Sequence, residues 1–430
     1  MPQSTLEQRS DDGVEVLKVP DFRRLWFANG LRDSGGQVAS FALPITALVL
    51  LHARPLEMSL IFAASRLGYL LVGLPAGVWI DRWPRKLVLV WADVAYAAAF
   101  GSIPAAYLLG VLTVPQLILV AFAVSVAGVF FDTAHSSVLP QLLPKRRVAD
   151  ANARLQSTDT ASQAIAPSVA GALTQSVAAP LLYCFATLCH LGSVLLVRGI
   201  RPVGEPTRES ARSGAEPERH FRKEVVDGVR ILLSQPLLRL LLSQAALNNL
   251  GAGILLSMMP VFLLKQIGVA PWLFGLLSTL GAVAGFTASL VGPALRRRIG
   301  EIRMMLVFSA LAPLALLPAP LATVFRGEAV ALAALAEVLI GFVVVARAVA
   351  TAGLRARVTP TRFMGRVTSA NNFVTQGATP LGALLGGVVA DSCSIGAALW
   401  VGVAEMAVAV LLLAVSPMRR HRTLPSEWEV

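Results

Sequence analysis

Charge is what this sequence has least of: Asp, Glu, Lys and Arg make up 14% of its 430 residues, against about 25% in soluble domains. With so few polar groups the chain cannot cover a water-facing surface, which excludes an ordinary soluble domain. Three cysteines (Cys184, Cys189 and Cys393) exclude a disulfide framework and a cysteine-held metal cluster. His52, His190, His220 and His421 fall in loops or at expected helix ends without partners at ligand spacing, so no metal is expected. The first sixteen residues are polar, and no cleavable signal peptide is expected. No Gly-x-x-x-x-Gly-Lys-Ser/Thr loop occurs, which argues against an ATP-driven pump. No nucleophile–base pair or appended soluble domain points to an enzyme, and no cofactor is expected.

What the chain has in quantity is apolar sequence: 55% hydrophobic residues and a mean hydropathy of +0.68. Crossing a bilayer takes about 20 apolar residues. Spans are expected at 22–51, 57–80, 86–110, 115–138, 150–177 and 180–198, and again at 236–264, 272–295, 302–322, 329–351, 363–390 and 395–416. The fifth and eleventh are the most polar. The organisation expected is all-α and integral to the membrane. A tail (1–21) leads into a six-helix bundle (22–200), a polar linker (201–235), a second six-helix bundle (236–416) and a final tail (417–430).

The net charge of +12 is not spread as a nucleic-acid site would be. Basic residues cluster in alternate loops: Arg82, Arg85 and Lys86; Lys145, Arg146 and Arg147; Arg296, Arg297 and Arg298; Arg355, Arg357, Arg362 and Arg366; Arg419, Arg420 and Arg422. The intervening loops carry little beyond Arg54, Lys265 and Arg326. Such alternation puts the basic loops, and with them both termini, in the cytoplasm. No basic face carries stacking aromatics, so no nucleic-acid partner is expected. The Arg-over-Lys and Ala-rich bias suits a GC-rich bacterial genome, which makes the bacterial inner membrane the expected location.

The halves repeat with an offset of 216 residues. Pro20 corresponds to Pro236, Pro84 to Gly300, Pro144 to Pro360 and Gly171 to Gly387. Internal repeats of this kind mark secondary transporters, whose sites lie between repeats near the midplane.

The run GLPAGVWIDRWPRK, from Gly73 to Lys86, resembles motif A of the major facilitator superfamily. That resemblance implies close helix packing at Gly73 and Gly77. It also implies a cytoplasmic gate in which Asp81 contacts the opposite half and is surrounded by Arg82, Arg85 and Lys86. Pro84 replaces the usual glycine. The run Ala166, Pro167, Ser168, Val169, Ala170, Gly171 is similar to the superfamily's motif C, associated with antiporters, with two glycines replaced by Ala166 and Ala170. An ordinary proline-kinked helix with small packing residues remains the alternative. VFFDTAHSSVLPQLLP (129–144), ADANARLQ (149–156) and GRVTSANNFVTQGATPLGALLGG (365–387) resemble the branch that contains macrolide-efflux and enterobactin-exporter proteins. The fold implied is the major facilitator fold of twelve helices, and the function implied is efflux.

Charges inside the spans need a reason, since each costs about 2.5–3.5 kcal/mol at a helix centre. They are Arg32 and Asp33 in the first span, Arg66 in the second, Asp93 in the third, Asp132 in the fourth and Glu337 in the tenth. In the resembled fold the first, fourth, seventh and tenth helices line the central cavity. That places Asp33, Asp132, Glu337, Asn248 and Asn249 where substrate or protons are handled, and Arg32 and Arg66 are counted with them as coupling or cavity residues. Asp33 and Glu337 lie deepest, where lost hydration disfavours the charged form, and Arg66 is expected to oppose proton binding at Asp33. Asp132 and His135, one turn apart, look like gate members, and Asp93 looks structural. For each carboxylate a buried structural ion pair is the competing reading.

The expected activity is proton-coupled export of a hydrophobic or amphipathic small molecule by a monomer. The alternatives are uptake or facilitated transport of a small nutrient or organic anion and, from another class, a polytopic membrane enzyme or sensor.

Overall fold

The computed structural model describes residues 16–73, 76, 79–80, 83–201, 236–358 and 364–414. Among them no strand occurs. The first-half helices are α1 (Pro20–Ile45), prolonged by π-helical turns at Thr46–Leu50, then α2 (Pro55–Leu71), α3 (Arg85–Leu108), α4 (Val114–Leu142), α5 (Val148–Leu173) and α6 (Leu182–Arg198). In the second half α7 (Pro236–Pro260) is likewise prolonged by π-helical turns at Val261–Ile267. It is followed by α8 (Pro271–Ile299), α9 (Glu301–Leu316, carried on by Pro318–Val324), α10 (Ala329–Val358), α11 (Met364–Ser392) and α12 (Ile395–Ala414).

Among the described residues nine helical segments are long and apolar enough to cross a membrane, and the chain is a multi-pass membrane protein. Helices suit this solvent because each backbone group is satisfied within its own segment. The segments outside the nine are α1, which carries Asp21, Arg23, Arg24, Arg32 and Asp33, the 17-residue α2, and the polar α5. Proline opens α1, α2 and α8, where its missing N–H is no loss and its fixed φ is already helical. Residues 202–235 of the expected linker, the last tail (417–430) and most of the first lie outside the described residues.

The 216-residue offset recurs in the helices themselves. The starts of α1 and α7, α2 and α8, α3 and α9, and α5 and α11 are each 216 residues apart. So are the hydrogen bonds that close the two π-helical ends, Ala53 N–H to Ala47 O at 2.8 Å and Val269 N–H to Leu263 O at 2.9 Å. Pairings repeat as well: α1 packs on α5 and α6 as α7 does on α11 and α12. Likewise α3 packs on α4 and α6 as α9 does on α10 and α12, and α2 on α4 as α8 on α10. The halves differ where Pro84 precedes α3 with φ −59° and Gly300 precedes α9 with φ +85°, a conformation that only glycine adopts freely.

The halves meet chiefly along two helix pairs, α2 with α11 and α5 with α8, with smaller contacts between α2 and α7 and between the two π-helical ends. At the end carrying the 51–54 loop the seam is shut by the second half gripping the first. Lys265 Nζ donates to Ala53 O at 2.9 Å and to His52 O at 3.5 Å. The Asp391 carboxylate accepts the Leu56 N–H, in the first turn of α2, at 3.3 Å. Ser59 lies fully buried beneath, where a Cβ on Gly387 would collide with its side chain. Both gripping side chains are exposed, where water competes for each hydrogen bond, so together they hold the seam by about 1 kcal/mol. In a variant with Ser59→Cys as sole cysteine, Lys265→Ala with Asp391→Ala should raise labelling by an impermeant maleimide about fivefold. Unchanged labelling would show that these contacts do not hold the seam.

Candidate functional site

A buried polar cluster ties together five helices of the first half around Arg32 of α1. Its guanidinium lies 3.7 Å from Asp93 Oδ1 (α3) and 3.6 Å from Asp132 Oδ1 (α4). It also donates to Tyr96 OH at 3.3 Å and sits 3.7 Å above the Phe131 ring. Asp93 is fully buried, whereas half of the Asp132 side chain is exposed. Asp93 further accepts from Ser193 Oγ at 2.6 Å and pairs with His190 Nδ1 at 3.0 Å, both on α6. Tyr69 of α2 donates its hydroxyl to Asp132.

The cluster agrees with the structural reading of Asp93 and corrects two expectations. His190, expected at a helix end without a partner, lies inside α6, fully buried, and stacks on Tyr96 with centroids 4.6 Å apart. Arg66 does not reach Asp33: it is exposed on α2 and lies over the Phe62 ring at 5.8 Å. The recorded partner of Asp33 is Asn29, whose Nδ2 donates at 2.8 Å. Sequence depth places a residue along a helix but not around it, which accounts for Arg66, whereas the partner of His190 lies 97 residues away on α3. His135 is one turn from Asp132, yet its ring stacks on Phe131 and its Nε2 is buried without a partner.

The second half holds a cavity of about 490 Å³ between α7, α8, α10 and α12. Asn248, Asn249, Ser278, Glu337 and Arg347 supply its polar groups, and Leu255, Met259, Phe274, Ile340, Val344 and Met406 much of its apolar wall. The structure thus brings the expected Asn248, Asn249 and Glu337 to one cavity, while Asp33, Asp132 and Arg32 sit in the other half. Asn249 is held by its own bonds, Nδ2 to Ala245 O at 2.8 Å and Oδ1 from Thr379 Oγ1 at 3.3 Å. Glu337 reaches α8, where its carboxylate abuts Gly281. Arg347 escaped the sequence reading, although a lone charge in the apolar run of α10 is the signal that singled out Glu337.

Of the motif A residues, Gly77, Asp81 and Arg82 lie outside the described residues. No described atom lies within 4 Å of where a Cβ on Gly73 would sit, so the expected tight packing is not found at that glycine. Lys86, in the first turn of α3, does not face the second half. Its Nζ donates to Arg198 O at 2.8 Å and also to Ile200 O, and Arg24 donates to Gly199 O between them. These cations complement the negative end of α6. Arg85 is the first residue of α3.

Motif C sits in the seam. Pro167 is inside α5, Ala166 and Ala170 are buried, and a Cβ on Gly171 would approach the Trp272 and Gly275 backbone of α8 to 3.2 and 3.3 Å. Ser168 Oγ and Thr279 Oγ1 share a hydrogen bond of 2.7 Å across the halves. Here the small residues let two backbones approach, as small-residue seams do in membranes.

Comparison with known proteins agrees with this architecture. The model of the Major Facilitator Superfamily matches residues 25–383. The uncharacterized MFS-type transporter y4rN of Sinorhizobium fredii is 26% identical over 404 residues, covering 94% of this chain and 96% of its own. Macrolide efflux protein A of Streptococcus pyogenes is 28% identical over 172 residues, 39% of this chain and 41% of that protein. Among solved structures, a bacterial homologue of the iron transporter ferroportin in its inward-facing state superposes with a TM-score of 0.71 at 19% identity, covering 93% of this chain and 99% of that one. The outward-facing state of such a homologue with soaked iron gives 0.57 at 21% identity, with 91% and 98% covered.

Proposed function

The chain belongs to the Major Facilitator Superfamily, and we propose that on this transporter scaffold it exports a hydrophobic or amphipathic small molecule by alternating access, driven by proton antiport. The second-half cavity carries this reading. Its walls are largely apolar and its few polar groups line the same space, the composition of a site for an apolar ligand with polar handles. The partial likeness to a protein named for macrolide efflux supports the outward direction. The motif C seam between α5 and α8 supports antiport. Asp33 and Glu337, one acid in each half, are the proposed proton carriers, and the Gly73–Lys86 loop the proposed cytoplasmic gate. The protein is proposed to work as a monomer, without a cofactor, in a bacterial inner membrane with both termini cytoplasmic. On that topology the closed 51–54 end faces outward, and the conformation is inward-facing.

One observation favours uptake of an organic anion as a second reading: Arg347 puts a cation in the cavity. Inverted vesicles carrying an imposed pH gradient distinguish the two. Accumulation of the exported compound should vanish when the gradient is collapsed, and Asp33→Asn or Glu337→Gln should lower gradient-driven accumulation at least a hundredfold while downhill equilibration persists. Accumulation indifferent to the gradient for every compound carried would refute proton coupling.

A further inference from the structure

Glu337 and Arg347 occupy opposite ends of one stripe on α10. Residues 337, 340, 344 and 347 all line the cavity, at the i, i+3, i+7, i+10 spacing that keeps one helix face. Ten residues of helix separate the two charges by about 15 Å of rise, and no ion pair joins them among the described residues. The Nε of Arg347 is buried without a hydrogen-bond partner, and no hydrogen bond to the Glu337 carboxylate is recorded among the described residues. Between them the wall is apolar, built from Ile340, Val344, Leu255 and Met259.

A partly buried charge without a partner is costly, and a binding partner that supplies its opposite recovers that cost. A ligand with one charge would answer one end and leave the other. We propose that this cavity binds a zwitterionic amphiphile, with its cationic group at Glu337, its anionic group at Arg347 and an apolar middle along Ile340 and Val344. This deepens the exporter reading, resting on the cavity being the substrate site, but it concerns binding and is independent of transport direction and driving force.

The test is calorimetric titration of the purified full-length protein in lipid nanodiscs at neutral pH, with empty nanodiscs subtracted. Three probes of equal chain length are compared: 12-aminododecanoate, dodecylamine and dodecanoate. A charge-assisted hydrogen bond lost at one end is a loss of tenfold or more. 12-Aminododecanoate should therefore bind at least tenfold more tightly than either singly charged probe, and 6-aminohexanoate, too short to span the stripe, at least tenfold more weakly than it. Glu337→Gln should abolish the advantage over dodecanoate while retaining dodecanoate binding. Arg347→Gln should abolish the advantage over dodecylamine while retaining dodecylamine binding. Such reciprocal retention cannot come from unfolding, and Arg347→Lys should restore part of the zwitterion's advantage. Equal affinity for the three long probes, or variants that leave the zwitterion's advantage intact, would overturn the proposal. If the zwitterion binds as described but no compound responds to a pH gradient in vesicles, the site stands and the exporter reading falls.

Discussion

Arg32→Leu should leave little folded protein, because it removes the cation that Asp93 and Asp132 share. Asp93 has no exposure at all, and what remains beside it is Ser193 and His190. Stranding a buried carboxylate in this way costs about 3–5 kcal/mol, a large part of the roughly 5–15 kcal/mol that holds a domain folded. The loss should appear as aggregation on size exclusion in detergent and a much lower unfolding temperature. Adding Asp93→Asn should recover much of it, since the charge that needed Arg32 is then gone. Adding Asp132→Asn should recover less, because that side chain is half exposed and water already answers it. A single Arg32→Leu variant as stable as the parent would show that the cluster is neutral to folding.

Gly275→Val should abolish transport without unfolding the protein. Gly275 belongs to α8 of the second half, and a Cβ there would collide with the Pro167 carbonyl of α5 and come within 3.2 Å of Phe41. Nothing flexible can yield, since the obstacle is backbone across the seam. The halves can part, however, and each keeps its own packing. The expected result is a drop in transport of at least a hundredfold, a thermal unfolding profile close to the parent's, and faster maleimide labelling of a cysteine at Ser59. Gly382→Val makes the contrast. Its Cβ would strike the Leu250 carbonyl, and α11 and α7 belong to the same half, so overpacking has no hinge to relieve it. That variant should express poorly. Full transport by Gly275→Val would rule out α5 against α8 as a contact that must close.

Much of the scaffold was readable from hydrophobicity, because an apolar run of twenty residues has few folds open to it in a bilayer. Helix starts fell within a few residues of expectation, but several ends did not. The fourth and tenth spans were expected to stop at 138 and 351, yet α4 continues to Leu142 and α10 to Val358, since a helix need not end where the hydrocarbon does. Sites were less readable. Depth along a helix identified Asp33, Asp132 and Glu337 as unusual, but pairing depends on which way each helix is turned. Arg32, expected at the cavity, proved to be the centre of a five-helix cluster, and Arg66 does not reach Asp33. His190 was dismissed because its partner Asp93 lies 97 residues away, a separation that no local spacing rule detects. Motif C was legible as small residues; that their smallness serves the seam between halves required the fold.

The π-helical ends of α1 and α7 match in more than position. A π turn takes in one residue more than an α turn and is rare, so its presence at both helix ends is a specific match. Here the two wide turns sit at equivalent places, closed by equivalent hydrogen bonds, and the helices that follow them, α2 and α8, start 216 residues apart. Both halves thus leave the first helix of their repeat through the same widened turn, a likeness of backbone detail beyond the shared order of helices.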